Sequence, residues 1–220
     1  MNKPKKSTTK TVSKEDLQDW YLDSVLSEGH TPKSVYKFMK HHEASETLFY
    51  DSYNSFEHLE NDIWRTWLNE TVATLENDEA YQGYAVREKL LAFYYTWLQK
   101  LLQVRSYANM KFSGMQKGVT PGFLKNFQLG FEEYMHELIV EGKDTHEVAG
   151  RPYTQYYPKG FWIQLMLIHQ FWLKDFSQDF EQTDAFVEKS VHFSMDLVAK
   201  GAVDSFQDLA KFLITRKDFL

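Results

Sequence analysis

The chain has 220 residues, 43% hydrophobic and 16% aromatic, with a formal net charge of −6. That is enough apolar material to bury a substantial core, in one large domain or in a small head on a larger body. The lack of cysteine excludes a disulfide framework and thiol chemistry, no apolar run approaches the roughly 18 residues of a membrane helix, and the negative balance speaks against non-specific nucleic-acid binding as the main activity.

The first fourteen residues read as an unstructured arm in which Lys3, Lys5, Lys6, Lys10 and Lys14 precede the first acid. With no apolar core behind it, this stretch is not a secretory signal, and a cytoplasmic chain is expected. The arm is read either as a phosphate-tracking or minor-groove element or as a solubilising leader. Ser13 is an N-cap candidate, and Leu17, Trp20, Tyr21, Ser24 and Val25 put an apolar stripe on a helix that stops at Gly29. Thr31-Pro32 reads as the next helix start, with Val35, Phe38 and Met39 as its apolar face. His42 to Ser45 interrupts it; Ser45 caps a second short helix with Leu48, Phe49 and Tyr53 on its apolar side, and Ser55 opens a longer one through Leu59, Ile63 and Trp67 to about Glu76. Two short helices joined by a tight turn is the arrangement that lays one helix in a DNA groove.

Gly29, Ser34-Val35, Phe38-Met39, Ser45, Phe49-Tyr50, Ser52-Tyr53, Ser55, Glu57 and Leu59 keep the order and spacing of a known DNA-binding segment. In this the chain resembles the tetracycline-repressor (TetR) type of bacterial regulators. Where that family usually has Ala, Gly and a helix-opening Lys, this chain has His42, Glu43 and Phe56. The resemblance implies an all-α protein with a three-helix head at residues 1–60 and a ligand-binding and dimerisation body at 61–220. It also implies Ser45, Thr47 and Tyr50 at the groove of a palindromic operator, with Lys33, Ser34, Tyr53 and the lysine arm on phosphates. From Glu15 to Glu60 there are three cations against ten acids, a balance of −7, whereas a DNA reader is normally basic.

Beyond Asn77-Asp78, a long helix is expected from about Glu79 to Asn109, apolar over more than one face and therefore central to a bundle. Phe112-Ser113-Gly114 and Gly118 to Pro121 bracket a loop, and Pro121 starts a helix that ends near Gly142. Gly150 to Pro158 is a loop, Pro158 to Phe176 is the most hydrophobic segment, and the last long helix spans about Asp184 to Lys200. An amphipathic helix with Phe206, Leu209, Phe212 and Leu213 closes the chain. In the resembling family the last two long helices of the body pair across a two-fold axis. That implies a homodimer through Phe161, Trp162, Leu165, His169, Trp172, Val191 and Met195.

Glu133 and His136, at a Glu-x-x-His spacing, share a helix face as in di-iron bundles, but no second such pair or further glutamates complete a site, and no metal or other cofactor is expected. Glu188 and His192 share a face without repeating that motif. There is no Gly-rich phosphate loop, nucleophile elbow or paired-carboxylate spacing, so an enzyme is not expected. Phe93, Tyr94, Trp97, Phe127, Phe131 and Tyr134, with Phe123, Tyr153, Tyr156 and Tyr157, read as an apolar ligand pocket or as plain core packing. Arg105 reads as a partner for an acidic ligand head group or as one half of a solvent-facing salt bridge. His169 is either a core histidine bonded through one ring nitrogen or a ligand or dimer contact. Two functions are carried forward, a ligand-responsive transcriptional regulator, expected as a repressor, and a protein of the same fold that binds lipids or small apolar ligands without DNA.

Overall fold

The computed structural model describes residues 12–113 and 119–199. The lysines before residue 12 and the closing helix at 206–213 lie outside the described residues. Among those described, every regular element is helical. The helices are α1 (Lys14–Glu28), α2 (Val35–His41), α3 (Glu46–Tyr50), α4 (Phe56–Glu76), α5 (Val86–Gln103), α6 (Arg105–Ser113), α7 (Lys125–Asp144), α8 (Tyr157–Lys174) and α9 (Glu181–Val198). None is long and apolar enough to cross a membrane.

The chain divides into two compact units, residues 1–65 with 104–126, and residues 66–103 with 127–220. The first is the head, and it includes α6. Ser13 and Asp16 close a reciprocal capping box on α1, and Gly29 ends that helix at φ 72°, a left-handed position that a residue without Cβ adopts without strain. Helix α2 starts later than expected. Ser34, not Thr31, is the extended residue whose hydroxyl accepts from Lys37 N–H, so Pro32 precedes the helix. Ser45 caps α3 by accepting from Thr47 N–H, and Ser55 accepts from His58 N–H at the start of α4. Tyr21, Phe38, Phe49 and Phe56 meet ring against ring at 5.3–6.2 Å and hold the short helices to α1 and α4. Phe56, standing where the resembling family has lysine, is thus a packing residue of the head.

Helix α6 joins this unit through a buried polar centre. The Tyr107 hydroxyl donates to the Glu60 carboxylate on α4, and the Lys111 ammonium pairs with the same carboxylate. Burial, then the Glu60 charge, pushes the Tyr107 hydroxyl well above its usual range. The expected single helix from Glu79 to Asn109 is therefore two, divided at Val104. Leu98 and Leu101 are buried in the second unit, and Tyr107, Ala108 and Phe112 in the first.

In the second unit α9 packs along α5 and α8. Gly142 does not end its helix. It lies two residues inside α7, where an added Cβ would meet Val148 Cγ2 at 2.6 Å, so the glycine permits the chain to fold back closely just past the helix. Asp175, just past α8, accepts from the backbone and hydroxyl groups of both Ser177 and Thr183. Burial pushes its carboxyl up, but those bonds outweigh it and hold it well below the usual carboxylate range. Arg151 donates to the carbonyls of Leu197 and Ala199, closing the C-terminal end of α9 with a positive charge.

Candidate functional site

In the head, α2 and α3 are joined by a turn in which Ala44 N–H donates to Met39 C=O at 3.0 Å. Glu43 sits in that turn at φ 53°, in the left-handed region, at the position where the resembling family has glycine. Below the turn Phe38, Met39 and Phe49 are buried. Outward, α3 presents Ser45, Thr47 and Tyr50, the last 53% exposed, and Ser45 Oγ lies 2.8 Å from Thr47 Oγ1. Lys33, Lys37 and Lys40 are exposed along α2 and its approach, with Lys40 Nζ 5.6 Å from the Tyr36 ring centre.

Tyr53 stands apart from this surface. It is 1% exposed, its hydroxyl donates to Asp62 at 2.7 Å and accepts from Gln18 at 2.9 Å, and burial followed by the Asp62 bond raises its pKa. Ser34 is half-buried, with its hydroxyl used as the α2 cap. Tyr36, Lys37 and Lys40 were not among the expected phosphate contacts. Their signal was present as the residues of α2 lying opposite the buried Phe38 and Met39 on the helical wheel.

In the second unit, Phe93, Tyr94, Trp97, Phe127, Phe131 and Tyr134 do come together, but as a packed interior. Trp97 stacks on Phe127 at 4.7 Å, Phe93 meets Tyr134 at 5.0 Å and Phe131 at 5.4 Å, and Trp162 closes on Phe127 at 5.5 Å. Trp97 Nε1–H donates to His169 Nε2 at 2.6 Å, and complete burial pushes the His169 pKa down to about 3, so the ring is neutral. The Tyr94 hydroxyl is buried without a hydrogen-bond partner. Tyr134 and Tyr81 bond through their hydroxyls. Arg105 begins α6 in the first unit, while the six aromatic residues belong to the second.

The residues expected at a dimer interface turn inward. Phe161, Trp162, Leu165, His169, Trp172, Val191 and Met195 are at most 6% exposed within one chain, because they form the side of α8 and α9 that packs on the core. The opposite side of the same helices exposes Ile163, Leu167, Phe193 and Leu197 at 41–66%. Between these residues runs an apolar groove of about 450 Å³, bounded at one end by Tyr153, Tyr156 and Tyr157. Periodicity on a helix apolar over most of its circumference left the choice of side open.

Residues 89–213, more than half of the chain, match the family model described as Tetracyclin repressor-like, C-terminal domain. The chain belongs to the tetracycline-repressor family. No curated protein matches its sequence. Among solved structures, this TetR-family chain is similar to a candidate tetR family transcription regulator from Shewanella sp. PV-4, with 14% identity and TM-score 0.62 over 86% of this chain and 98% of that one. It is also similar to the fatty acid degradation regulator FadR from Bacillus halodurans, with 15% identity and TM-score 0.58 over 83% of this chain and 98% of that one. At such identities the two structures establish a shared TetR fold. The described residues of this TetR chain cover a head with a helix-turn-helix and a helical body of the family's ligand-binding type.

Proposed function

We propose that this TetR-family protein is a ligand-responsive transcriptional regulator, acting as a repressor, that binds operator DNA as a homodimer. The observation that carries this reading is the α2–turn–α3 motif, with Phe38, Met39 and Phe49 buried and Ser45, Thr47 and Tyr50 turned outward. Tyr50, Thr47 and Ser45 enter the major groove, where hydroxyls and an aromatic edge read base edges. Lys33, Lys37 and Lys40 meet phosphates alongside. A second copy binds through the exposed side of α8 and α9, which gives the two heads that a palindromic site requires.

The ligand is a small apolar molecule for which the packed aromatic interior of the body opens beside Tyr94. Tyr94 supports this, because its partnerless hydroxyl leaves a donor that an acceptor on the ligand would satisfy. A ligand favouring one arrangement of the body shifts operator affinity only by its differential affinity for the two. A second reading, a lipid or apolar-ligand binding protein of the same fold without a DNA role, draws on the acidic balance of residues 15–60 and on Glu43 in the recognition turn.

Binding of the purified protein to DNA upstream of its own gene and to random DNA, across a salt series, tests the first reading. Sequence-specific binding weakened at least tenfold by Thr47→Ala with Tyr50→Ala, and a salt slope that falls when the lysine arm is removed, is the expected result. Wild-type-like operator binding by the double variant would sink the assignment to α3. No specific binding at low salt, together with a co-purified apolar ligand in native mass spectrometry, would favour the second reading.

A further inference from the structure

The α8–α9 groove contains one buried group whose hydrogen bonding is incomplete. Gln164 lines the groove and is 9% exposed; its Nε2 donates to Ser190 Oγ at 3.1 Å, and its Oε1 has no partner. A half-turn of the amide exchanges its two ends and leaves the other end short, so either orientation is incomplete. The serines of the groove are already engaged. Ser190 Oγ donates to Val187 C=O and Ser194 Oγ to Val191 C=O. An unpartnered buried amide group is destabilising, because it has given up its bonds to water without replacing them.

The chemistry of the face selects its occupant. Among the described residues that line the groove none is charged, so nothing there attracts a charged partner or repels another chain of net charge −6. Protruding Ile163, Leu167 and Phe193 stand beside the hollow, so one surface supplies both ridge and groove, as an isologous contact requires. A primary amide complements itself. With one N–H of Nε2 on Ser190, the other is available to the Oε1 of an identical amide, which returns the same bond. We infer that Gln164 fixes the register of self-association, its amide turning a short way into the groove to pair with the partner's Gln164 across the two-fold axis.

This inference rests on the homodimer reading above. A single polar residue in an apolar seam defines register because displaced pairings bury it without its mate. In the paired register each amide gains a donor and an acceptor.

The test uses the full chain. The dimer dissociation constant of wild type, Gln164→Leu and Gln164→Glu is measured by analytical ultracentrifugation, with Leu167→Glu as a control for the face and thermal unfolding as a control for the fold. Because the sequence has no cysteine, single Cys residues introduced at positions 163, 164 and 167 report register by disulfide cross-linking. Gln164→Glu faces two carboxylates and is expected to weaken the dimer about 100-fold or more. Gln164→Leu is expected to keep the dimer within about tenfold of wild type while cross-linking of 163→Cys and 167→Cys spreads between registers. Wild-type-like dimerisation of Gln164→Glu, or an unchanged cross-linking pattern in Gln164→Leu, overturns the amide pairing. If Leu167→Glu also dimerises like wild type, the α8–α9 dimer reading itself fails.

Discussion

The head and the body both carry aromatic residues at helical spacing, and in the two regions that pattern has opposite meanings. In the head, helices of five and seven residues have one buried side each, so Phe38, Met39 and Phe49 go inward while Tyr36 and Tyr50 are left outside for contact. In the body, helices of eighteen and twenty residues are covered from several directions, and the tyrosines and tryptophans that read equally well as a pocket lie against one another. Their polar centres differ too. The head closes on a buried charge pair, Glu60 with Lys111, and the body on a neutral pair, Trp97 with His169. A short amphipathic helix declares its surface, and a long apolar one waits for its neighbours.

The largest effect should come from breaking the neutral centre. Trp97→Ala removes a fully buried ring, its stack on Phe127 and its bond to His169, and should cost about 3–5 kcal/mol in urea unfolding. A loss below about 1 kcal/mol would mean that this core is loose enough to refill. The charged centre gives a comparable but rescuable effect. Lys111→Met leaves Glu60 buried without its ammonium and should cost about 3 kcal/mol, most of it recovered by adding Glu60→Gln. Equal stability of single and double variants would show that the charge, as distinct from the shape, is immaterial.

The contrast between charged and neutral centres is sharpened by pH. His169 has a folded-state pKa of about 3 against 6.5 for an ordinary histidine, so its neutral form is favoured by folding. The unfolded chain takes up the proton first as pH falls. Stability is therefore fully present above about pH 6.5 and is lost toward pH 3, by up to about 1.4 kcal/mol per unit. His169→Gln should flatten the stability curve between pH 4 and 6 relative to wild type, and parallel curves would count against a neutral buried ring. The smallest effect belongs to the recognition turn. Glu43→Gly relieves a left-handed non-glycine residue and should stabilise the head by about 0.5–1 kcal/mol. It also removes an acid beside α3, so operator binding should tighten rather than weaken, as a titration at fixed salt would show.

The acidic tally of the head illustrates what a linear count misses. Of the ten acids between Glu15 and Glu60, five lie on α1 and one, Glu60, is buried against Lys111 from beyond the counted stretch. The three lysines all lie on α2 or just before it. Charge was legible as a sum, and its distribution over faces was not. Similarly, Gly29 and Gly142 look alike as helix terminators. The first holds a left-handed cap, whereas the second makes room for Val148, where the chain folds back just past α7.

Local chemistry determined a great deal by itself. The caps at Ser13, Ser45 and Ser55, the left-handed stop at Gly29 and the spacing of Phe38, Met39 and Phe49 made the helical fold, the helix-turn-helix and the family resemblance readable, because each depends on neighbours a few residues away. Only the tertiary structure decided that Tyr53 is buried on Asp62, that the long helix divides at Val104, that the aromatic set of the body is packed, and which side of α8 and α9 is left open. Those outcomes depend on residues up to about a hundred positions apart competing for one core, and helical periodicity records that a residue is apolar without recording which neighbour covers it.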